Sequence, residues 1–373
     1  MSEKRVKSAV VGVGLIGEQH ADAYANYGRA DLVMVHDLNA ERARTVADRL
    51  GCKATTNLDD IANSDVEVVS VATPDHLHYE ATMAMLKAGK HVCVEKPLAT
   101  ITREAQDMVK TAADNNVKLT INLGNRWNAG FQSIRDSVQS GEVGDPVFGY
   151  CRCSDTIWVP TTMLSWAGKS GPQWFLFAHT MDLFRWFLNQ EPQSVYAVGT
   201  KRVLAAKGID CFDAIQAVVQ FEKTFVTFET SWILPEAWPA IVEFELTVNG
   251  DKGRLGFDGI RGGFELSSDI VGKHMFARPS LWNYFKLPDS WWGAPRNLVD
   301  CVLDGGDPII DAADGVAVTA MIEPPNARSP RGVRYRSRRC SESEDTPRAS
   351  SHGCIGSHDL RFVGSIHGVV IFA

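Results

Sequence analysis

The stretch Gly12-Val13-Gly14-Leu15-Ile16-Gly17 follows an apolar, β-branched run and opens a helical one. In that context a G-x-G-x-x-G reads as a seat for a dinucleotide pyrophosphate. Gly12 permits the tight turn, Gly14 lets the backbone approach the phosphates, and Gly17 lets the helix pack on the strand. Leu15 and Ile16 lie where free N–H groups and the positive end of the helix face the ligand. The competing reading is a glycine-rich turn with no ligand. Asp37 ends the second apolar run, where an acid hydrogen-bonds the ribose hydroxyls of NAD. A 2′-phosphate there would meet a carboxylate, so NAD is favoured; Arg42 nearby keeps NADP open, and a helix-capping Asp37 is compatible with either.

Two further strand ends carry chemistry: Thr73-Pro74-Asp75-His76-Leu77-His78 and Glu95-Lys96-Pro97. Ligands of open α/β sheets bind at such carboxyl ends, which makes Thr73, Pro74 and His78 candidates for the cofactor. Lys96 is the candidate base. Alcohol oxidation needs a hydride acceptor and a group that takes the hydroxyl proton. A partly desolvated lysine beside a cationic nicotinamide loses its own proton readily and serves near neutral pH. A solvated surface lysine is the alternative, and Pro97 weighs against it because the Lys96-Pro97 bond can hold a fixed, even cis, geometry. His179 and Asp182 share a helix face at i, i+3 spacing. His179 can polarise a substrate hydroxyl, although Leu183 and Trp186 on a similar face make a packed core histidine the rival reading. Arg126, Trp127 and Trp166 are candidate substrate contacts, with ordinary packing as an equal alternative.

The elements that must position these groups read as follows. Val6–Val11, Leu32–His36, Val66–Ala72, His91–Val94 and Lys118–Asn122 are apolar runs separated by helical stretches, the pattern of a parallel sheet covered on both faces. Phe131–Gln139 and Phe177–Leu188 are helical. From Ser194 to Leu266 strands follow one another directly, with turn signals at Asn249-Gly250 and Asp258-Gly259, which predicts a mostly antiparallel sheet open on one face. Late helices are expected at Leu298–Leu303 and Ala312–Ile322. The fold class is therefore an α/β Rossmann domain (1–123) followed by an α+β substrate-binding domain (124–322). Residues 323–373 form an atypical tail, rich in Arg, Pro and Ser at first, with a basic cluster at Arg336–Arg339. It reads as disordered or as the product of a shifted reading frame.

The bulk numbers narrow the functional classes. The chain has 373 residues, 45% hydrophobic and 22% charged, with a net charge of −7. An acidic balance argues against nucleic acid, and no apolar run reaches the roughly 18 residues of a membrane span. The polar N-terminus lacks a signal-peptide core, so a cytoplasmic protein is expected. Eight cysteines are scattered; Cys151 and Cys153 would share a strand face as core residues, and no metal site is expected.

Together these residues resemble the glucose-fructose oxidoreductase / inositol dehydrogenase / rhizopine-catabolism (Gfo/Idh/MocA) family. The matching stretches are Ala9–Gly17, Val71–His78, Ala88–Leu98, His179-Thr-Met-Asp182 with Arg185-Trp186, and Asn249–Gly253. The resemblance implies hydride transfer between a nicotinamide and a sugar, inositol or related polyol. It makes Lys96 the catalytic lysine, Glu95 a residue that sets the cofactor ribose and site geometry, and His179 a substrate-binding, catalytic histidine. It also implies a homo-oligomer through the open sheet. Many members carry an aspartate four residues before that histidine; here the position is Phe175, so a carboxylate must come from elsewhere, from Asp182 or Asp155, or be absent. That departure keeps an NAD-retaining redox lyase or glycosidase, and a non-catalytic sugar sensor, as alternatives.

Overall fold

The computed structural model describes residues 4–260, 263–270, 273–277 and 288–323. The expected tail from 324 onward, including the basic cluster, lies outside them. The first third of the chain forms a six-stranded, wholly parallel sheet: β1 (Val6–Val11), β2 (Ala30–His36), β3 (Lys53–Thr55), β4 (Val68–Val71), β5 (His91–Glu95) and β6 (Leu119–Asn122), in the order β3-β2-β1-β4-β5-β6. Chain order reverses between β1 and β4, which opens a crevice at their carboxyl ends. Helices α1 (Leu15–Ala25), α2 (Ala40–Leu50), α3 (Leu58–Ala62), α4 (His78–Lys87) and α5 (Thr102–Asp114) cover its faces. The central strands are buried on both sides, which is why they read as unbroken apolar runs.

The second sheet is built from β7 (Pro146–Thr156), β8 (Pro192–Thr200), β9 (Ala214–Phe221), β10 (Phe225–Leu234), β11 (Val242–Gly250), β12 (Gly253–Asp258), β13 (Gly263–Ser268) and β14 (Lys273–Ala277). Its order is β14-β13-β12-β11-β7-β10-β9-β8. All neighbours are antiparallel except β7 and β10, which run parallel. The mostly antiparallel expectation holds. The parallel pair arises because the chain leaves β7 through a long crossover before it returns along β10. Alternation on β9 is regular, with Ile215, Ala217, Val219 and Phe221 buried and Gln216, Val218 and Gln220 exposed. Helices α6 (Ala129–Gln139) and α7 (Ala178–Leu188) cover the inner face. Aromatic rings lock that packing: Phe184 meets Phe228 edge-on at 5.5 Å, and Phe131 lies 5.3 Å from Phe244.

Two helices that follow the second sheet in sequence return to the first. In α8 (Pro288–Asp304), Ala294, Leu298 and Val299 join the core formed by Val6, Val10, Ala21 and Tyr24. Helix α9 (Ala312–Ile322) packs between α5 and α7. Thr319 donates to the carbonyl of Ala99, and the Glu323 carboxylate accepts from the N–H of Thr102. That contact satisfies an otherwise open donor at the start of α5, whose N-cap, Ile101, has no capping side chain.

Candidate active site

The glycine loop has the shape its sequence predicts. Gly12 sits at φ +83°, where a Cβ would lie 2.9 Å from the carbonyl oxygen of Ala72. A Cβ on Gly17 would approach the Gly12 oxygen to 1.8 Å, so α1 can start here only with glycine. Around Gly14 nothing comes within 4 Å of where a Cβ would be, and α1 has no side-chain cap. The open space and the uncapped helix start fit a pyrophosphate. Leu15 is 68% exposed at the rim and Ile16 is partly buried behind it. Asp37 is buried; its carboxylate accepts from the N–H of Val13 at 3.1 Å and of Asn39 at 2.8 Å, with Arg42 at 3.3 Å. It therefore ties the glycine loop to the end of β2 while keeping a negative charge where a ribose would lie. These residues fit NAD: the loop and α1 would hold the phosphates, and Asp37 the ribose.

At the next strand ends, His78 sets one ring nitrogen 2.6 Å from the carbonyl of Pro97 and the other 2.8 Å from that of Thr73. It clamps the ends of β4 and β5 together, so its polar atoms face backbone on both sides. The Thr73 hydroxyl is buried without a partner, and Pro74 leads into a short 3-10 turn beside it. From that turn Asp75 accepts from Ser170 at 2.6 Å, joining the two halves of the molecule.

Lys96 follows β5 through a cis bond to Pro97 and is almost fully buried. Its Nζ donates to the carbonyl of Phe175 at 3.0 Å and lies 4.0 Å from the centroid of the Phe175 ring. Behind it, Glu95 is enclosed. Its carboxylate meets His20 Nε2 at 2.9 Å, and accepts from Asn122 at 2.6 Å and from the Lys96 N–H at 3.2 Å. Burial pushes its pKa up, but His20, Lys96 and Asn122 more than offset that and hold it down at about 2. A permanent carboxylate thus anchors the backbone of Lys96. His20 and Asn122 carry no motif of their own, and the sequence did not single them out.

His179 stands near the start of α7, preceded by a π-helical turn, Gln173–Phe177, that sets Phe175 over Lys96. Its Nδ1 is sealed from solvent without a partner. Burial, helped by the charge of Lys96, drives its pKa down to about 3, so the ring is neutral and able to donate or accept. Asp155 ends the inner face of β7, where Cys151 and Cys153 precede it as buried core residues. It is fully enclosed; Oδ2 accepts from the indole N–H of Trp232 at 3.1 Å and Oδ1 has no partner. Burial raises its pKa to about 7 against the opposing pull of Trp232 and Lys96.

Arg126 and Asp182 depart from the substrate-contact reading. They close on each other in a bidentate pair, with Nε–Oδ2 at 3.0 Å and Nη2–Oδ1 at 2.5 Å, both residues buried. Arg126 also reaches Asp314 at 2.8 Å, and Asp314 pairs in turn with Arg185. The network pins α7 to α9, which explains why its polar atoms are spent. Trp127 packs against α8 so tightly that a Cβ on Gly293 would lie 2.3 Å from its ring. Trp166 is partly buried, 6.3 Å from Phe175. Among the described residues no group of three or more His, Cys, Asp or Glu is placed to hold a metal, and no helix is long and apolar enough to cross a membrane.

The sequence matches a family described as "Oxidoreductase family, NAD-binding Rossmann fold" over residues 6–123 and the "GFO/IDH/MocA C-terminal domain" over residues 131–256. It is 24% identical over 326 residues to an inositol 2-dehydrogenase of Rhizobium meliloti (strain 1021), covering 85% of this chain and 95% of that one. Among solved structures it is similar to GenD2 from gentamicin A biosynthesis in complex with NAD, at 25% identity and a TM-score of 0.73 over 86% of this chain and 93% of that one. It shares its fold with levoglucosan dehydrogenase in complex with NADH and levoglucosan, at 21% identity and a TM-score of 0.75 over 85% of this chain and 95% of that one. With the glycine loop, the Glu95-Lys96-Pro97 strand end and both domain matches in sequence order, this chain belongs to the GFO/IDH/MocA family of NAD-binding oxidoreductases.

Proposed function

We propose that the protein is an NAD-linked dehydrogenase that oxidises a CH–OH group of a sugar, inositol or related polyol. The observation that carries this reading is the buried Lys96, backed by the Glu95 carboxylate, with a neutral His179 near enough to feel its charge. NAD, when bound on the glycine loop, supplies the hydride acceptor. Lys96 Nζ takes the hydroxyl proton, and His179, neutral at working pH, orients the hydroxyl by hydrogen bonding. Glu95 keeps the lysine backbone in place through its bond to the Lys96 N–H. The relatives named for inositol and levoglucosan support a polyol or sugar as substrate class. Asp37 favours NAD over NADP.

The test is a panel of sugars and polyols incubated with NAD and, separately, NADP, followed by nicotinamide absorbance. Turnover of at least one polyol with NAD bears the reading out. Tight NAD binding with silence across the panel would transfer support to an NAD-retaining lyase or glycosidase, or to a sensor. Phe175 is the observation favouring that second reading, because it caps Lys96 with an apolar ring. The open face of the second sheet supports self-association. Tyr196, Val198 and Val218 are exposed there, and Phe148 stacks on Phe225 at 6.0 Å.

A further inference from the structure

Between β7 and α7 the chain passes the carboxyl ends of the parallel strands, and side-chain hydrogen bonds tie it to the first domain at two points. Ser170 donates to the carboxylate of Asp75 at 2.6 Å, and Lys96 Nζ donates to the carbonyl of Phe175 at 3.0 Å. These fastenings lie beyond the carboxyl ends of the neighbouring strands β4 and β5. Asp75 is 5% exposed and follows closely on Ala72, whose carbonyl oxygen would stand 2.9 Å from a Cβ on Gly12. The segment is thereby fixed beside the crevice that suits a dinucleotide.

The same segment is held together internally. The N–H of Lys169 bonds the carbonyl of Trp166, that of Ser170 the carbonyl of Ala167, and that of Phe175 the carbonyl of Gly171. The Trp166 ring lies 6.3 Å from the Phe175 ring, which meets Trp232 of β10 edge-on at 5.7 Å. Residues 166–177 therefore belong mechanically to the second domain and reach the first through short polar fastenings.

We propose that residues 166–177 are a strap across the Lys96 end of the crevice, and that Ser170 and Asp75 are positioning residues whose bond keeps it closed over a bound dinucleotide. Because Phe175 rides on the same segment, the latch also holds the carbonyl and ring that seat Lys96. The inference goes beyond the dehydrogenase reading: it needs a dinucleotide in the crevice, whatever is then done with it. A hydroxyl on a carboxylate is a charge-assisted bond, stronger than a neutral one. Both partners can take water when the segment lifts, so opening costs one net bond and strands no charge. Such a latch suits a strap that opens and closes on the μs–ms scale of active-site loops.

The experiment is stopped-flow binding and release of NADH by the full-length protein, read as energy transfer from tryptophan to the bound nicotinamide, with release driven by excess NAD. Ser170→Ala removes only the donor. NADH should enter and leave about 10-fold faster in this variant, the worth of one charge-assisted bond, while Kd moves less than either rate. Ser170→Thr, which keeps the hydroxyl, should restore wild-type rates. Unchanged rates in Ser170→Ala overturn the proposal. So does faster release alone with Kd weakened to match, which marks a lost contact and not a gate. If Ser170→Ala fails to fold, Asp75→Asn keeps the shape and weakens the bond; both rates should then rise by a smaller factor, and unchanged rates overturn the proposal equally. No polyol enters the measurement. A panel without turnover would therefore retire the dehydrogenase reading and leave the strap standing, and turnover with unaltered NADH kinetics would do the reverse.

Discussion

The Nζ of Lys96 donates to the backbone carbonyl of Phe175 at 3.0 Å and sits 4.0 Å from the centroid of the same residue's ring. One residue therefore receives the amine twice, by a lone pair and by a π face. Neither interaction neutralises charge as a carboxylate would, but both hold the amine in a fixed place. The π-helical turn at Gln173–Phe177 makes this possible by turning one carbonyl toward the cleft.

From that geometry Lys96→Ala should lower kcat by about 10²–10⁴-fold, the usual contribution of a positioned general base. Affinity for NAD should change little, since the glycine loop and Asp37 lie elsewhere. Steady-state rates together with an NAD titration by tryptophan quenching make the comparison. Wild-type turnover in the variant would remove the lysine from the chemistry.

Asp37→Ala addresses cofactor choice. The carboxylate accepts from two backbone N–H groups and lies beside Arg42. Its loss frees a half-exposed guanidinium that suits a 2′-phosphate. NAD should bind about 10-fold more weakly, the worth of one charge-assisted hydrogen bond, and NADP should hold or improve. Equal weakening of both cofactors would show that Asp37 only ties the loop to β2.

Much of the first sheet could be read in advance because its central strands are buried on both faces and end in the glycine loop. The missing pieces have physical causes. Strand β3 spans three residues and α3 five, too short for a period to show. Strand β7 showed only at Cys151 and Cys153, and its extent escaped because its inner face carries Gly149, Cys151, Cys153 and Asp155, a run without large apolar residues. The start of α8 was obscured by Gly293 and Pro295, which read as breakers; Gly293 is small because the Trp127 ring lies against it. In the site, motif residues such as Lys96 and His179 could be picked out. Arg126 and Asp182 could be named but not paired, because nothing local in either segment announces a partner on another element.

That pairing has its own consequence. Removing one member of a buried, bidentate ion pair strands the other charge. Asp182→Ala or Arg126→Ala should cost about 3–5 kcal/mol in urea unfolding. The double variant Arg126→Met/Asp182→Leu should cost clearly less than the two single losses added together, since neither charge is then left alone. Additive losses would argue that the two residues act separately. A KM effect on polyol with unchanged stability would return them to the substrate.

Asp155 gives a pH signature with a definite sign. Its folded pKa of about 7 lies above the ordinary carboxylate value of 3.8. The folded state therefore holds this proton more tightly than the unfolded chain does. The stabilisation this brings is complete below about pH 4 and is lost as pH rises to about 7. Asparagine mimics the neutral acid and cannot ionise. Asp155→Asn should match wild type only below about pH 4 and should already lead it modestly at pH 5, where the fold still keeps its proton but the unfolded chain does not. At pH 8 the variant should melt higher still, because the wild type then carries a buried charge that Trp232 and Lys96 offset only in part. Melting curves at the two pH values decide it: a difference that stays constant from pH 5 to pH 8 would mean that residue 155 does not titrate in this window.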